Sequence, residues 1–170
     1  MEPASEAFAT IGTEFVRVLC TEYTCDSGPD AWNGRPFFTA DLYNELAPPS
    51  SDLDYLSNVS FAVHAAIQAG YNQALNSSRM HAEDPTEDAE EKSVTWITQG
   101  WMFHSDSSFW QKPQIQAFLD GVPNREHDLM VLDLYAEVCE LKVSLRGIVW
   151  SKMHFLSRGA VKGVANMEFI

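Results

Sequence analysis

Apolar residues in the opening segment recur at helical spacing: Phe8, Ile11, Phe15, Val18 and Leu19 fall on one stripe, with Glu6, Glu14 and Arg17 off it. That pattern predicts an amphipathic helix that buries the stripe and ends before the turn cluster Gly28-Pro29-Asp30. The spacing then changes. Phe37 to Tyr43 is short, apolar and aromatic, and is bounded by Pro36 and the Pro48-Pro49 pair, as expected of a strand feeding a loop. Asp52 is a natural N-cap for a second helix whose stripe is Leu53, Leu56, Val59, Val63 and Ile67, with closure expected near Gly70.

From 71 to 93 the periodicity lapses into Asn76-Ser77-Ser78 and then Glu83, Asp84, Glu87, Asp88, Glu90 and Glu91 around Pro85. This reads as a solvated, flexible acidic loop rather than a metal site, because no ligand spacing is present. Val94 to Thr98 follows as a second strand. Pro113 opens a short helix carrying Ile115, Phe118 and Leu119, which Gly121 and Pro123 close. Leu129 to Tyr135 is nearly continuously apolar around a lone Asp133, as strands covered on both faces are. Ile148-Val149-Trp150 is a weaker last strand. Strands alternating with helices predict an α/β fold with parallel pairing, and no repeat recurs at any period of roughly 20 to 50 residues.

Composition narrows the functional classes. The 170 residues are 45% hydrophobic and 12% aromatic, enough for a buried core of about one domain. Eleven Lys+Arg against 24 Asp+Glu give a formal charge of −13, which opposes binding to nucleic acid or to an anionic membrane surface. Cys20, Cys25 and Cys139 form no CxxC pair and lie near no zinc-ligand histidine, so buried or unpaired thiols are the first expectation and a Cys20–Cys25 disulfide the second. The acidic start is not a signal peptide, and no apolar run approaches the roughly 18 residues of a membrane helix. The chain as written is therefore expected in the cytosol. Asn58-Val59-Ser60 and Asn76-Ser77-Ser78 fit the N-glycosylation triplet, which matters for an exported protein.

Candidate chemistry gathers where strands give way to loops. Asn44-Glu45 follows the first strand, and in barrels of alternating strands and helices the C-terminal rim carries the catalytic groups. A carboxylic acid there can protonate a glycosidic oxygen if a dry site or a second carboxylate raises its pKa. From pattern alone, a Glu before a Pro-rich turn is more often a surface carboxylate.

Tyr43-Asn44-Glu45 with Pro48-Pro49 and Ser51-Asp52 is the first of an ordered series. It continues through Trp96, Gln99-Gly100-Trp101-Met102-Phe103, Phe109-Trp110, Pro113-Gln114, Val131-Leu132-Asp133-Leu134-Tyr135-Ala136-Glu137, and Trp150 with Met153-His154. The series is similar to the alpha-N-acetylglucosaminidases of glycoside hydrolase family 89. The resemblance implies a partial (β/α)8 TIM barrel, roughly strands four to seven, over residues 1–154, with 155–170 as a divergent tail. It implies hydrolysis, with retention, of terminal α-linked N-acetylglucosamine from glycans, heparan sulfate in lysosomes or mucin-type glycans in bacteria, without cofactor or metal. By the same resemblance the protein belongs in a lysosome or outside the cell.

In residue terms, the resemblance places the general acid/base on Glu45, a sugar contact on Asn44 and one wall of the pocket on Trp101. Trp96, Gln99 and Asp133 become supports behind them. Phe109 and Trp110 are expected to fill core, His154 to be structural, and His64 to sit on a helix face. A retaining glycosidase also needs a nucleophile about 5–5.5 Å from the acid/base. No motif that would carry it follows His154, and Glu168 lacks its context. Tyr43 stands where the family commonly has Phe, and the acidic loop is long for the family. The competing expectations are a non-catalytic sugar-binding remnant lacking the nucleophile, or an α/β domain that acts only through partners.

Overall fold

A computed structural model describes residues 4–23, 25, 35–43, 46–80 and 93–132. In chain order the elements are α1 (Glu6–Tyr23), β1 (Phe37–Thr39), α2 (Leu53–Met80), β2 (Thr95–Gln99), α3 (Trp101–Ser105), α4 (Lys112–Asp120), α5 (Arg125–Asp128) and β3 (Leu129–Leu132). The strands form one sheet in the order β1-β2-β3. β2 and β3 are parallel, with Trp96 opposite Leu129 and Gln99 opposite Leu132. At β1 the Thr95 N–H donates to the Pro36 carbonyl at 2.9 Å and the Ala40 N–H to the Ile97 carbonyl at 3.1 Å. Both partners advance together along the chain, the mark of parallel pairing. Spatial order thus follows chain order, and each connection is a helical crossover. A doubly wound sheet would reverse direction at a switch point; a barrel winds on in sequence.

Contacts divide the chain into two compact units, residues 1–38 with 61–95, and residues 39–60 with 96–170. In the first, α1 lies against α2 through small side chains. Gly12 faces the Ala66 methyl, Thr13 Oγ1 donates to the Ala66 carbonyl at 3.4 Å, and a methyl group at Gly70 would overlap the Thr13 carbonyl and come within 2.7 Å of Val16 Cβ. Residue numbers rise together across this contact, so the helices run parallel, as successive crossovers onto a parallel sheet must. Phe38 of β1 meets Tyr71 of α2 edge to face at 6.3 Å. The Val94 N–H donates to Gln68 Oε1 at 2.9 Å.

Four expectations change here. The α1 residues that bury are Val16 and Cys20, while Ile11 (56%), Phe15 (67%) and Val18 (42%) of the expected core stripe are exposed. The glycine contact brings the helices so close that the small-residue face wins over the aromatic one. Gly70 does not end α2, which continues to Met80; the residue is a point of close approach. The expected loop over 71–93 therefore loses its first ten positions to helix, and 81–92 lie outside the described residues. Finally, Cys20 and Cys25 are joined in a disulfide, their Cα atoms 4.6 Å apart, a separation within the normal range for the bond.

In the second unit the core is aromatic. Trp96 and Phe118 have centroids 5.9 Å apart, Trp110 and Phe118 5.7 Å, Phe103 and Trp110 5.2 Å, and Phe103 and Phe118 5.8 Å. Most meet edge to face, the arrangement ring quadrupoles prefer. Trp110 is held in place by the preceding turn, where Asp106 accepts from the Ser108 hydroxyl at 2.6 Å and from the Ser108 and Phe109 backbone N–H groups, both at 3.1 Å. The Ser108 hydroxyl, then the backbone donors, hold the Asp106 carboxyl below its ordinary pKa. α4 opens with Pro113 in its first turn and buries Ile115, Phe118 and Leu119 as the pattern requires. Gly121 follows it, and any side chain there would collide with the Ser57 carbonyl and the Ser60 hydroxyl of α2. β3 begins at Leu129 as expected; its continuation through Asp133 to Tyr135 and the strand at 148–150 lie outside the described residues.

Candidate functional site at the strand ends

Parallel strands bring all their C-terminal ends to one edge of the sheet, and within the second unit three chain segments meet there. β1 leads into Ala40 and Asp41. β2 leads into Gly100 and Trp101, and the Gly100 N–H donates at 2.8 Å to the Leu132 carbonyl at the end of β3. Asp41 is exposed at this rim and reaches across to β2: one carboxylate oxygen accepts from the Gln99 backbone N–H at 3.3 Å, the other from Gln99 Nε2 at 2.9 Å. Hydrogen bonds to an ionised acceptor are the stronger kind, although exposure to water offsets part of the gain.

Two residues further on, Tyr43 has φ 52°, in the left-handed region where a bulky side chain costs about 1–3 kcal/mol. Its hydroxyl lies 2.8 Å from the Tyr55 hydroxyl in a partly buried hydrogen bond, worth about 1 kcal/mol. Tyr55 is in the first turn of α2, and its backbone N–H donates to Asp52 Oδ1 at 2.9 Å. Asp52 is thus the N-cap that the sequence predicts, and the cap fixes the turn from which the Tyr55 ring extends.

Trp101 opens α3, half-buried, with its ring edge to face on His104 at 5.8 Å. Trp96 is fully buried among the core aromatics, yet its indole N–H donates to the Ala40 carbonyl at 2.9 Å and so anchors the chain just before Asp41. Gln99 sits at the rim beside Trp101. Asn44, Glu45 and Asp133 lie outside the described residues, as does His154. His64 is buried on α2. Trp110 is core, as expected, and Phe109 is half-buried against it at 5.1 Å. Among the described residues no group of His, Cys, Asp or Glu could hold a metal ion, and no helix is long and apolar enough to cross a membrane.

Sequence reasoning missed Asp41 and Tyr55. Extending the first strand to Tyr43 hid Asp41 inside it, whereas β1 stops at Thr39 and leaves Asp41 at the rim, where a carboxylate is informative. Nothing local marks Tyr55, because its partner is twelve positions away.

Sequential parallel strands joined by helical crossovers, with carboxylate, amide and indole groups at their C-terminal ends, are the pattern of part of an α/β barrel. Residues 1–157 match the family model "Alpha-N-acetylglucosaminidase (NAGLU) tim-barrel domain", and the chain belongs to that family. Human alpha-N-acetylglucosaminidase is 31% identical over 159 residues, which cover 91% of this chain and 17% of the human protein. The chain therefore spans 17% of the length of that relative.

Proposed function

We propose that this chain supplies the acid/base segment of a glycosidase that removes terminal α-linked N-acetylglucosamine with retention, and that its strands are roughly the fourth to seventh of the barrel. Glu45 protonates the departing glycosidic oxygen and later deprotonates the attacking water. Asn44 binds the sugar, and the Trp101 indole forms one wall of its pocket, where ring stacking suits the apolar face of a pyranose. Gln99 and Trp96 act behind them by holding Asp41 and the chain at Ala40. Asp133 is the remaining candidate for a supporting role. The observation that carries this reading is the family match, which runs through residues 44 and 45.

The glycan is of the heparan sulfate type if the source is eukaryotic, and the setting is lysosomal or extracellular. The Cys20–Cys25 disulfide supports such a setting, since disulfides persist in oxidising compartments. The test is hydrolysis of an aryl α-N-acetylglucosaminide by the full-length gene product. Glu45→Gln should lower kcat by about 100- to 10,000-fold, and proton NMR of the first-formed sugar should show the α anomer. Unchanged turnover in Glu45→Gln removes Glu45 from the mechanism, and a β product rules out retention.

A further inference from the structure

We infer that Asn58 carries an N-linked glycan that is added before α2 folds; this rests on the exported setting proposed above. The triplet Asn58-Val59-Ser60 fits the acceptor pattern, with a residue other than proline between the asparagine and the hydroxyl. It lies in the second turn of α2, where successive side chains point in different directions around the axis, so the helix separates its members. Asn58 is exposed, as is Asp54 one turn earlier on the same face. Val59 and Ser60 are both sealed in the core, at 0% exposure. Asparagine is among the weaker helix formers, and on the solvent face it fills no core. Neither propensity nor packing accounts for it; an acceptor amide does.

Ser60 fixes when the transfer takes place. Its hydroxyl donates to the Ser57 carbonyl at 3.1 Å, and the turn at Gly121 lies so close over both groups that a methyl at 121 would collide with them. A transferase that recognises the hydroxyl of the triplet cannot reach it once this contact has formed, and the helical hydrogen bonds of α2 commit the triplet's backbone as well. Transfer therefore belongs to the unfolded chain. Folding then seals Ser60 while the glycan stays in water, where a bulky polar group is compatible with the buried side of α2.

In the transfer, Asn58 Nδ2 bonds to the anomeric carbon of an oligosaccharide carried on a lipid pyrophosphate. The bond from that carbon to the pyrophosphate oxygen breaks, the lipid pyrophosphate leaves as an anion, and one amide proton passes to a base of the transferase.

The test is peptide mapping of the full-length gene product expressed in eukaryotic cells, after peptide N-glycosidase treatment in heavy-oxygen water, which converts a glycosylated asparagine to labelled aspartate. Asn58 should be labelled, and Asn58→Gln and Ser60→Ala should each remove the same single glycan, read as one step in gel mobility. Ser60→Ala keeps the acceptor and deletes only the hydroxyl, so a glycan that persists in it overturns the assignment to this triplet. The state of Cys20 and Cys25 reports on the setting independently. A chain with the Cys20–Cys25 bond intact and no label at Asn58 overturns the inference and leaves the setting standing; a label at Asn76, exposed in the second triplet, with none at Asn58 does the same. A chain with free thiols and no label fails on the setting, and the inference falls with it. For the timing, folded full-length protein made in bacteria is incubated with the transferase and its lipid-linked donor. Asn58 should stay unmodified, and labelling of the folded chain overturns transfer before folding.

Discussion

Helix α1 and helix α4 are both amphipathic by sequence, yet they meet their surroundings in opposite ways. α4 buries its three apolar residues, Ile115, Phe118 and Leu119, and Phe118 touches three other aromatic rings. α1 presents Gly12, Thr13 and Val16 to α2 and leaves Ile11, Phe15 and Val18 exposed. The first contact is made of side-chain volume and the second of backbone proximity. Hydrophobic periodicity detects contacts of the first kind and cannot see those of the second, because glycine and threonine add nothing to an apolar stripe.

The sharpest way to separate the two is to remove volume from the first. Phe118→Ala should cost about 3–5 kcal/mol in equilibrium urea unfolding, since it empties the centre of the aromatic cluster. A loss below 1 kcal/mol would mean that the cluster collapses around the gap and that ring packing is not what holds this unit. The reverse operation belongs to the second contact. Gly70→Ala gains up to about 1 kcal/mol of helix propensity, but the added methyl meets the Thr13 carbonyl and Val16, and overpacking costs about 1–3 kcal/mol. A net loss of about 1–2 kcal/mol is expected, and a gain in stability would show that α1 and α2 do not approach this closely. The smallest effect tests the exposed stripe itself: Phe15→Ser should change stability by no more than about 0.5 kcal/mol. A loss above about 1.5 kcal/mol would mean that Phe15 is covered in solution.

The same contrast explains how much was legible beforehand. The α4 boundaries, the Asp52 cap, the start of β3 and the parallel α/β class all follow from signals contained within a few residues: a proline in the first turn, a carboxylate before an apolar run, a continuous apolar strand. The course of α2 beyond Gly70 was not legible, because a glycine that ends a helix and one that lets another helix approach look alike in sequence. Nor was the Cys20–Cys25 bond, since two cysteines five positions apart carry no pairing signal of their own. At the rim, Gln99 and Trp101 are singled out by the family resemblance, and a strand predicted over Val94 to Thr98 leads into them. The tie from Gln99 to Asp41 and that from Tyr55 to Tyr43 join residues 58 and 12 positions apart, and only folding brings them together.

The unequal exposure of the tryptophans also gives the rim an optical signature. Trp96 and Trp110 are sealed among rings at 0% and 1% exposure, whereas Trp101 is half-buried. Buried indoles emit at short wavelength and are shielded from soluble quenchers, so of the three described tryptophans Trp101 contributes the red-shifted, quenchable part of the emission. The difference spectrum between the parent chain and Trp101→Phe isolates that part. Under the proposed role of Trp101, a bound sugar would then announce itself as a loss of quenching, without any bond having to be broken.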